Sequence, residues 1–182
     1  TGKNKDLTSL YDVAKENGYT VTTTQSEIEA VTKNTGKVIA IDENLADGDA
    51  MNYDMDLADG KWDLADYVEK GIEVLNNDKG FFMMVEGGKI DWACHANDAA
   101  ASINDTLALD KAVQAAYKFY EQHPADTLIL VTGDHETGGL TIGYAGTNYD
   151  TYLKNLENQT LSYAKFDSEY VASYKENNTP FS

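Results

Sequence analysis

Apolar positions recur along the chain with two periods, and each change of period marks a new element. Within Asp6 to Asn17, Leu7, Leu10, Tyr11 and Ala14 stand at helical spacing, and Gly18 supplies a left-handed stop. A short strand follows from Tyr19 to Thr23. Ser26 to Thr32 predicts a second helix capped by Ser26, and the β-branched run Lys37 to Ile41 predicts a strand that ends in the acidic loop DENLADGD. From Leu64 to Leu75 the apolar residues Leu64, Tyr67, Val68, Ile72 and Leu75, with Gly71, line one face of an amphipathic helix. Phe81 to Val85 and Thr127 to Val131 are continuous apolar runs of the kind a strand buried on both faces requires. Between them Ala99 to Tyr120 predicts a long helix through Ile103, Leu107, Asp110, Val113 and Tyr117. Strand, helix and strand in that order predict a βαβ crossover with parallel strands, and the whole an α/β layered architecture. No third strong strand is read after Leu140 to Tyr144, and residues 145–182 turn polar and Tyr-rich, as expected of a peripheral or inserted segment.

Composition narrows this picture. A chain of 182 residues with 42% hydrophobic residues can bury one core, so a single domain over 1–182 is expected. The formal charge is −17 and every cation is Lys, because the sequence holds no Arg; a nucleic acid, which needs a basic face, is an unsuitable partner. Cys94 is the only cysteine, so no intrachain disulfide can form. No apolar run approaches the roughly 20 residues of a membrane span, and TGKNKDLTSL has no signal-peptide core.

In open parallel sheets, chemistry collects at the carboxyl ends of strands. The two best predicted strands end in the two most unusual loops, FFMMVEGGKIDWACHANDA and LILVTGDHETGG. The first carries Glu86, two glycines, Asp91 and His95; the second carries Asp134 and His135. Asp91 and His95 stand four apart, so one turn of helix puts both on one face, a spacing shared by ion-binding pairs and ordinary surface salt bridges. Asp134 and His135 are adjacent and would point to opposite faces of a regular strand, but Gly133, Gly138 and Gly139 favour an irregular loop that relaxes this. Mixed carboxylate and imidazole donors suit zinc, and the oxygen donor Glu86 suits magnesium. His123 reads as a surface turn residue. The acidic loops starting at Asp42 and Asp54 are not EF-hands: each places Gly one position late, and the twelfth position holds Tyr53 or Ala65.

The stretch GFFMMVEGGKIDWACHANDAA, the helix containing LALDKAV and the run DTLILVTGDHETGG together resemble the alkaline phosphatases, over about Gly18 to Tyr144 and more loosely into the tail. The resemblance implies part of a layered fold with a mostly parallel central sheet flanked by helices. It implies two zinc ions and one magnesium ion in a full active site, and a phosphomonoesterase working through a phosphoseryl intermediate. By motif, Asp91 and His95 correspond to ligands of the first zinc, Asp134 and His135 to ligands of the second, and Glu86 to a magnesium ligand. The family's nucleophilic Ser, its Arg and further ligands match nothing here, so the expectation is a carboxy-terminal excision from a longer enzyme, inactive alone. Trp92 and Thr137 stand where other members carry Lys or His. Phosphate monoesters and inorganic phosphate as ligands, a periplasmic or extracellular address, and a parent able to form a homodimer follow from the same resemblance. A phosphodiesterase, phosphomutase or sulfatase on the same metal cradle is the alternative, as is, for the isolated chain, a folded non-catalytic module.

Overall fold

Short capping motifs decide where the helices begin. In the computed structural model, which describes residues 8–140 and 143–177, Ser9 accepts the Tyr11 N–H at 3.2 Å and opens α1 (Leu10–Glu16). Asp6 and Leu7, the expected start of that helix, lie outside the described residues. After Gly18, at φ 81°, comes β1 (Tyr19–Thr22). Helix α2 (Gln25–Glu29) is capped by Thr24 rather than by Ser26, because Thr24 and Glu27 form a reciprocal capping box: the Glu27 N–H reaches Thr24 Oγ1 at 3.3 Å, and Glu27 Oε2 accepts the Thr24 N–H at 3.2 Å. The chain then forms β2 (Lys37–Ala40), parallel to β1 in the register Tyr19↔Lys37 and Val21↔Ile39.

Asp63 opens α3 (Leu64–Leu75) with the same device, accepting the Ala65 and Asp66 N–H groups at 2.8 and 3.1 Å while Asp66 caps the Asp63 N–H at 2.9 Å. Two further helices complete the centre, α4 (Gly88–His95) and α5 (Ala99–Gln122). Their packing rests on small residues. Ala100, Ala101, Ser102, Asp105, Ala108, Ala112 and Ala115 are the buried positions of α5, and their short side chains let α3 and α4 approach closely. Val68 of α3 meets Ala112 and Ala115, with Leu64, Ile72 and Met83 packed around them; Ala93 of α4 meets Ala101 and Tyr53.

The expected parallel strands at Phe81 to Val85 and Thr127 to Val131 carry no sheet pairing among the described residues; the parallel sheet there is β1 with β2 alone. Both runs nevertheless keep a period of two. Phe81 packs edge-on against Phe119 of α5, with ring centroids 5.7 Å apart, and Met83 joins the Val68 cluster, while Phe82 is 89% exposed. Leu128 and Leu130 likewise face outward. A run read as buried on both faces thus has one face on the helices and no layer over the other, and a strand exists only where a neighbour takes its N–H and C=O groups. Residues 141–142, within the Leu140–Tyr144 segment, fall outside the described residues.

The Tyr-rich segment is fastened at one place. Asp98, the N-cap of α5, accepts the Ala101 N–H at 3.1 Å and Gln159 Nε2 at 2.6 Å on one oxygen, and the Tyr163 N–H at 2.7 Å on the other. Ser162, fully buried, donates its N–H to Asp56 at 3.0 Å and caps α6 (Tyr163–Phe166), which leads through a π turn (Asp167–Val171) to α7 (Ala172–Glu176).

Asp105 is the carboxylate in the middle of the alanine face. Burial pushes its carboxyl up to about 6; the Asp54 N–H and the Lys89 ammonium oppose that shift, and the charges of Asp54 and Asp56 add to it. Because the folded-state value lies above the unfolded one, the folded protein holds this proton more tightly, and stability from this source is lost as pH rises from about 4 to about 6. Asp105→Asn removes that slope while keeping an acceptor for Asp54. Relative to the native chain, the variant should gain on the order of 1–3 kcal/mol between pH 4.5 and pH 7.5 in urea denaturation; an equal difference at both pH values contradicts the assignment.

Candidate metal centre

Helix α4 begins at the second glycine of EGGKID, with Gly87 as its N-cap. Gly87 lies against α5: a Cβ there would stand 3.0 Å from Ile90 Cδ1 and 3.2 Å from Leu109 Cδ2, so a larger residue requires these two side chains to shift. Asp91 and His95 fall one turn apart on α4, as their spacing predicts, with His95 Nε2 3.6 Å from Asp91 Oδ2. Both are solvent-accessible, so the pair as an ion pair is worth at most about 1 kcal/mol. Glu86 is turned elsewhere, toward a small cavity that it lines with Asp54, Lys89 and Asp105.

The DHETGG segment is an irregular loop, and the loop does bring the adjacent Asp134 and His135 together, with His135 Nε2 3.6 Å from Asp134 Oδ2. The His135 N–H also reaches Asp134 Oδ1 at 3.1 Å. His135 Nδ1 lies 2.9 Å from the Glu136 carbonyl oxygen and 3.3 Å from Thr137 Oγ1, an arrangement that suits a proton on Nδ1, so that in the neutral ring the lone pair is on Nε2, on the Asp134 side. The Glu136 carbonyl, and then the charge of Asp134, hold the His135 imidazole above its ordinary value, so a proton competes there with any metal ion.

Thr137 joins the two halves. Its hydroxyl donates to Asp91 Oδ1 at 2.7 Å, which ties the DHETGG loop to α4 and brings His135 next to Asp91. The approach depends on Gly138, at φ 72°, where a Cβ would collide with the Cys94 carbonyl oxygen. Four of the five candidates, Asp91, His95, Asp134 and His135, therefore sit in one connected group, and Glu86 lies at the other side of the α4 start.

The donors fit zinc by chemistry: two carboxylate and imidazole pairs, each with an Nε2 beside a carboxylate oxygen, and one carboxylate held by an outer hydroxyl as metal-ligating carboxylates are. Among the described residues no three of these groups converge tightly enough to enclose an ion. Two residues were passed over by sequence reasoning. Thr137 was legible only as a replacement for His, and its signal is the position two after His135. Lys89 drew no role, although a cation in the first turn of a helix, three before Trp92, is an unusual placement. Loss of a hydrogen bond to a ligating carboxylate weakens metal binding by about 10- to 100-fold, so Thr137→Val should lower zinc affinity in that range and Thr137→Ser should restore it; competition calorimetry reads the ratio, and an unchanged affinity in Thr137→Val contradicts the role.

Comparison with known proteins identifies the family of this chain. The sequence model described as Alkaline phosphatase matches residues 1–180. Alkaline phosphatase 4 of Bacillus subtilis is 34% identical over 172 residues, 93% of this chain and 34% of that protein. The repressible alkaline phosphatase of Saccharomyces cerevisiae is 33% identical over 175 residues, 88% of this chain and 31% of that protein. Among solved structures, a cold-active alkaline phosphatase from a psychrophilic Shewanella sp. superposes with a TM-score of 0.75 at 30% identity, over 94% of this chain and 41% of that one. The alkaline phosphatase of Thermus thermophilus superposes with a TM-score of 0.70 at 28% identity, over 89% and 34%. The chain spans about a third of the length of the curated relatives it matches. It belongs to the alkaline phosphatase family.

Proposed function

We propose that this chain is the metal-ligand-bearing part of an alkaline phosphatase that hydrolyses phosphate monoesters through a phosphoseryl intermediate, with the nucleophilic Ser outside the chain. The observation that supports the reading is the Thr137 bridge, which brings the carboxylate and imidazole of α4 next to those of the DHETGG loop in a chain whose relatives are phosphatases. On this reading residues 1–182 are one domain of a longer enzyme, and 145–182 is a peripheral segment tied to α5 through Asp98. The same reading gives the parent a periplasmic or extracellular address and a homodimeric state.

Asp91 and His95 would hold one zinc ion, Asp134 and His135 a second, and Glu86 a magnesium ion. When bound, paired zinc ions make oxygen nucleophiles available near neutral pH and stabilise the attacking and leaving oxygens of an in-line displacement. The chain's own residues arrange the donors. Asp91 keeps Oδ2 toward His95 because Oδ1 is occupied by the Thr137 hydroxyl. His135 keeps Nε2 free for a ligand because Nδ1 faces the Glu136 carbonyl. The carboxylates supply negative charge that balances the cations. The chain has no Arg to meet the charge of a phosphoryl oxygen.

Two outcomes follow. With two protein donors for each zinc where stable structural sites have four, zinc should bind the isolated chain no tighter than roughly micromolar; stoichiometric binding tighter than that in calorimetry contradicts the ligand count. The isolated chain should not turn over p-nitrophenyl phosphate under saturating zinc and magnesium, whereas the full-length enzyme does so at alkaline pH and loses activity in Asp134→Ala. If the short chain works at the rate of the long one and Asp134→Ala abolishes that rate, it holds a complete site and the reading fails.

A further inference from the structure

Lys89 stands where a cation is least expected, in the first turn of α4, against the positive end of the helix, and only 8% exposed. Its surroundings account for this. The Nζ lies 3.7 Å from the ring centroid of Trp92 and 4.5 Å from that of Tyr53, a buried residue of the loop after β2. Asp105 of α5, 92% buried by the same measure, supplies negative charge from the other side; its Oδ1 accepts the Asp54 N–H at 3.3 Å, and its Oδ2 has no hydrogen-bond partner. Lys89 therefore connects three pieces of chain: the EGGKID turn, the loop carrying Tyr53 and Asp54, and α5. Glu86, Lys89, Asp54 and Asp105 line the same cavity of about 70 Å³.

We propose that Lys89 is a positioning residue for the carboxylates on either side of it: clamped between Tyr53 and Trp92 and facing Asp105, it locks the first turn of α4 and so fixes where Glu86 stands relative to Asp91. The inference rests on the reading of Glu86 as a ligand for a hard cation, and adds a residue to which that reading gives no role. The geometry explains why a lysine, and not an apolar residue of the same length, sits at this point. A methionine would pack between the two rings, but it would lose the cation–π contacts with both and the positive charge that favours the ionised Asp105 carboxylate. Arginine keeps the charge and stacks on aromatic faces.

The test uses Tb³⁺ alone, an oxygen-seeking cation whose emission is excited by energy transfer from a nearby aromatic ring, in the full 182-residue chain carrying Trp62→Phe, so that Trp92 is the only indole, with excitation at the red edge of the indole band where tyrosine does not absorb. Trp92-sensitised emission should be lost in Glu86→Gln. Lys89→Met should weaken Tb³⁺ binding by about 10-fold, as loss of outer-shell support does, and Lys89→Arg should return it to within about 3-fold, with matched circular dichroism. Should Lys89→Met fail to fold, Asp105→Asn carries the test: it keeps the acceptor for Asp54, removes the counter-charge, and should weaken binding by about 3- to 10-fold. Loss in Glu86→Gln with native affinity in folded Lys89→Met, or in Asp105→Asn where that variant carries the test, overturns the positioning role and leaves Glu86 as a ligand. Weakened binding in Lys89→Met that Lys89→Arg does not restore overturns the charge as its basis. Emission unchanged in Glu86→Gln overturns the reading of Glu86 itself, and the proposal with it.

Discussion

The alanine face of α5 is the constraint on which the other contacts depend. Ala100, Ala101, Ala108, Ala112 and Ala115 leave room for α3 on one side and α4 on the other, and Gly87, the N-cap of α4, lies close to Leu109 of α5 at the turn. A larger side chain at Ala101 would meet Ala93 and Tyr53 directly; overpacking a filled core typically costs about 1–3 kcal/mol. With α4 that close, Lys89 and Asp105 line one cavity, and the last turn of α4 presents the Cys94 carbonyl to Gly138. Burial, in this chain, is less a matter of large apolar side chains than of small ones that admit helices.

That closeness has an electrostatic consequence. A buried carboxylate on an alanine face is unfavourable unless charges and hydrogen bonds meet it, and Asp105 is met by Lys89 and by the Asp54 N–H. The Asp54 carboxyl is itself held above its ordinary range by burial, with Lys111 opposing and Asp63 adding. The acidic loops after β2, which look like candidate cation sites, thus spend their groups on structure: Asp42 accepts the Tyr67 hydroxyl at 2.7 Å, Glu43 pairs with Lys61, and Asp56 takes the Ser162 N–H. The carboxylates and imidazoles of Asp91, His95, Asp134 and His135 are by contrast accessible to a ligand.

Much of this was legible from residue spacing. Leu64 to Leu75 folds as written because the apolar face and the Asp63 cap agree, and the Asp91 and His95 pair lands on one helix because four residues make about one turn. The start of α2 was misplaced because Thr24 with Glu27 outcompetes Ser26 as a cap, a pattern present in TQSE but overlooked. The apolar runs at Phe81 and Thr127 read as buried on two faces, but Phe82, Met84, Leu128 and Leu130 are exposed; covering the second face depends on a neighbouring layer, which no local pattern can report. Thr137 and Lys89 were invisible for a related reason: Thr137 matters through a partner 46 residues away, and Lys89 through the Tyr53 ring of another loop as well as through Trp92 of its own helix. Periodicity describes a segment's face, and these residues act between segments.

The three histidines allow a direct test of the claim that α4 and the DHETGG loop present one metal-binding face. In long-range ¹H–¹⁵N correlation spectra of the ¹⁵N-labelled chain titrated with zinc, the Nε2 resonances of His95 and His135 should move together in the same concentration range. His123, which caps α5 with its ring 4.5 Å from Phe119, should stay still. Movement of His123 in step with the other two, or of His95 and His135 in clearly separate concentration ranges with Thr137 intact, would contradict the account.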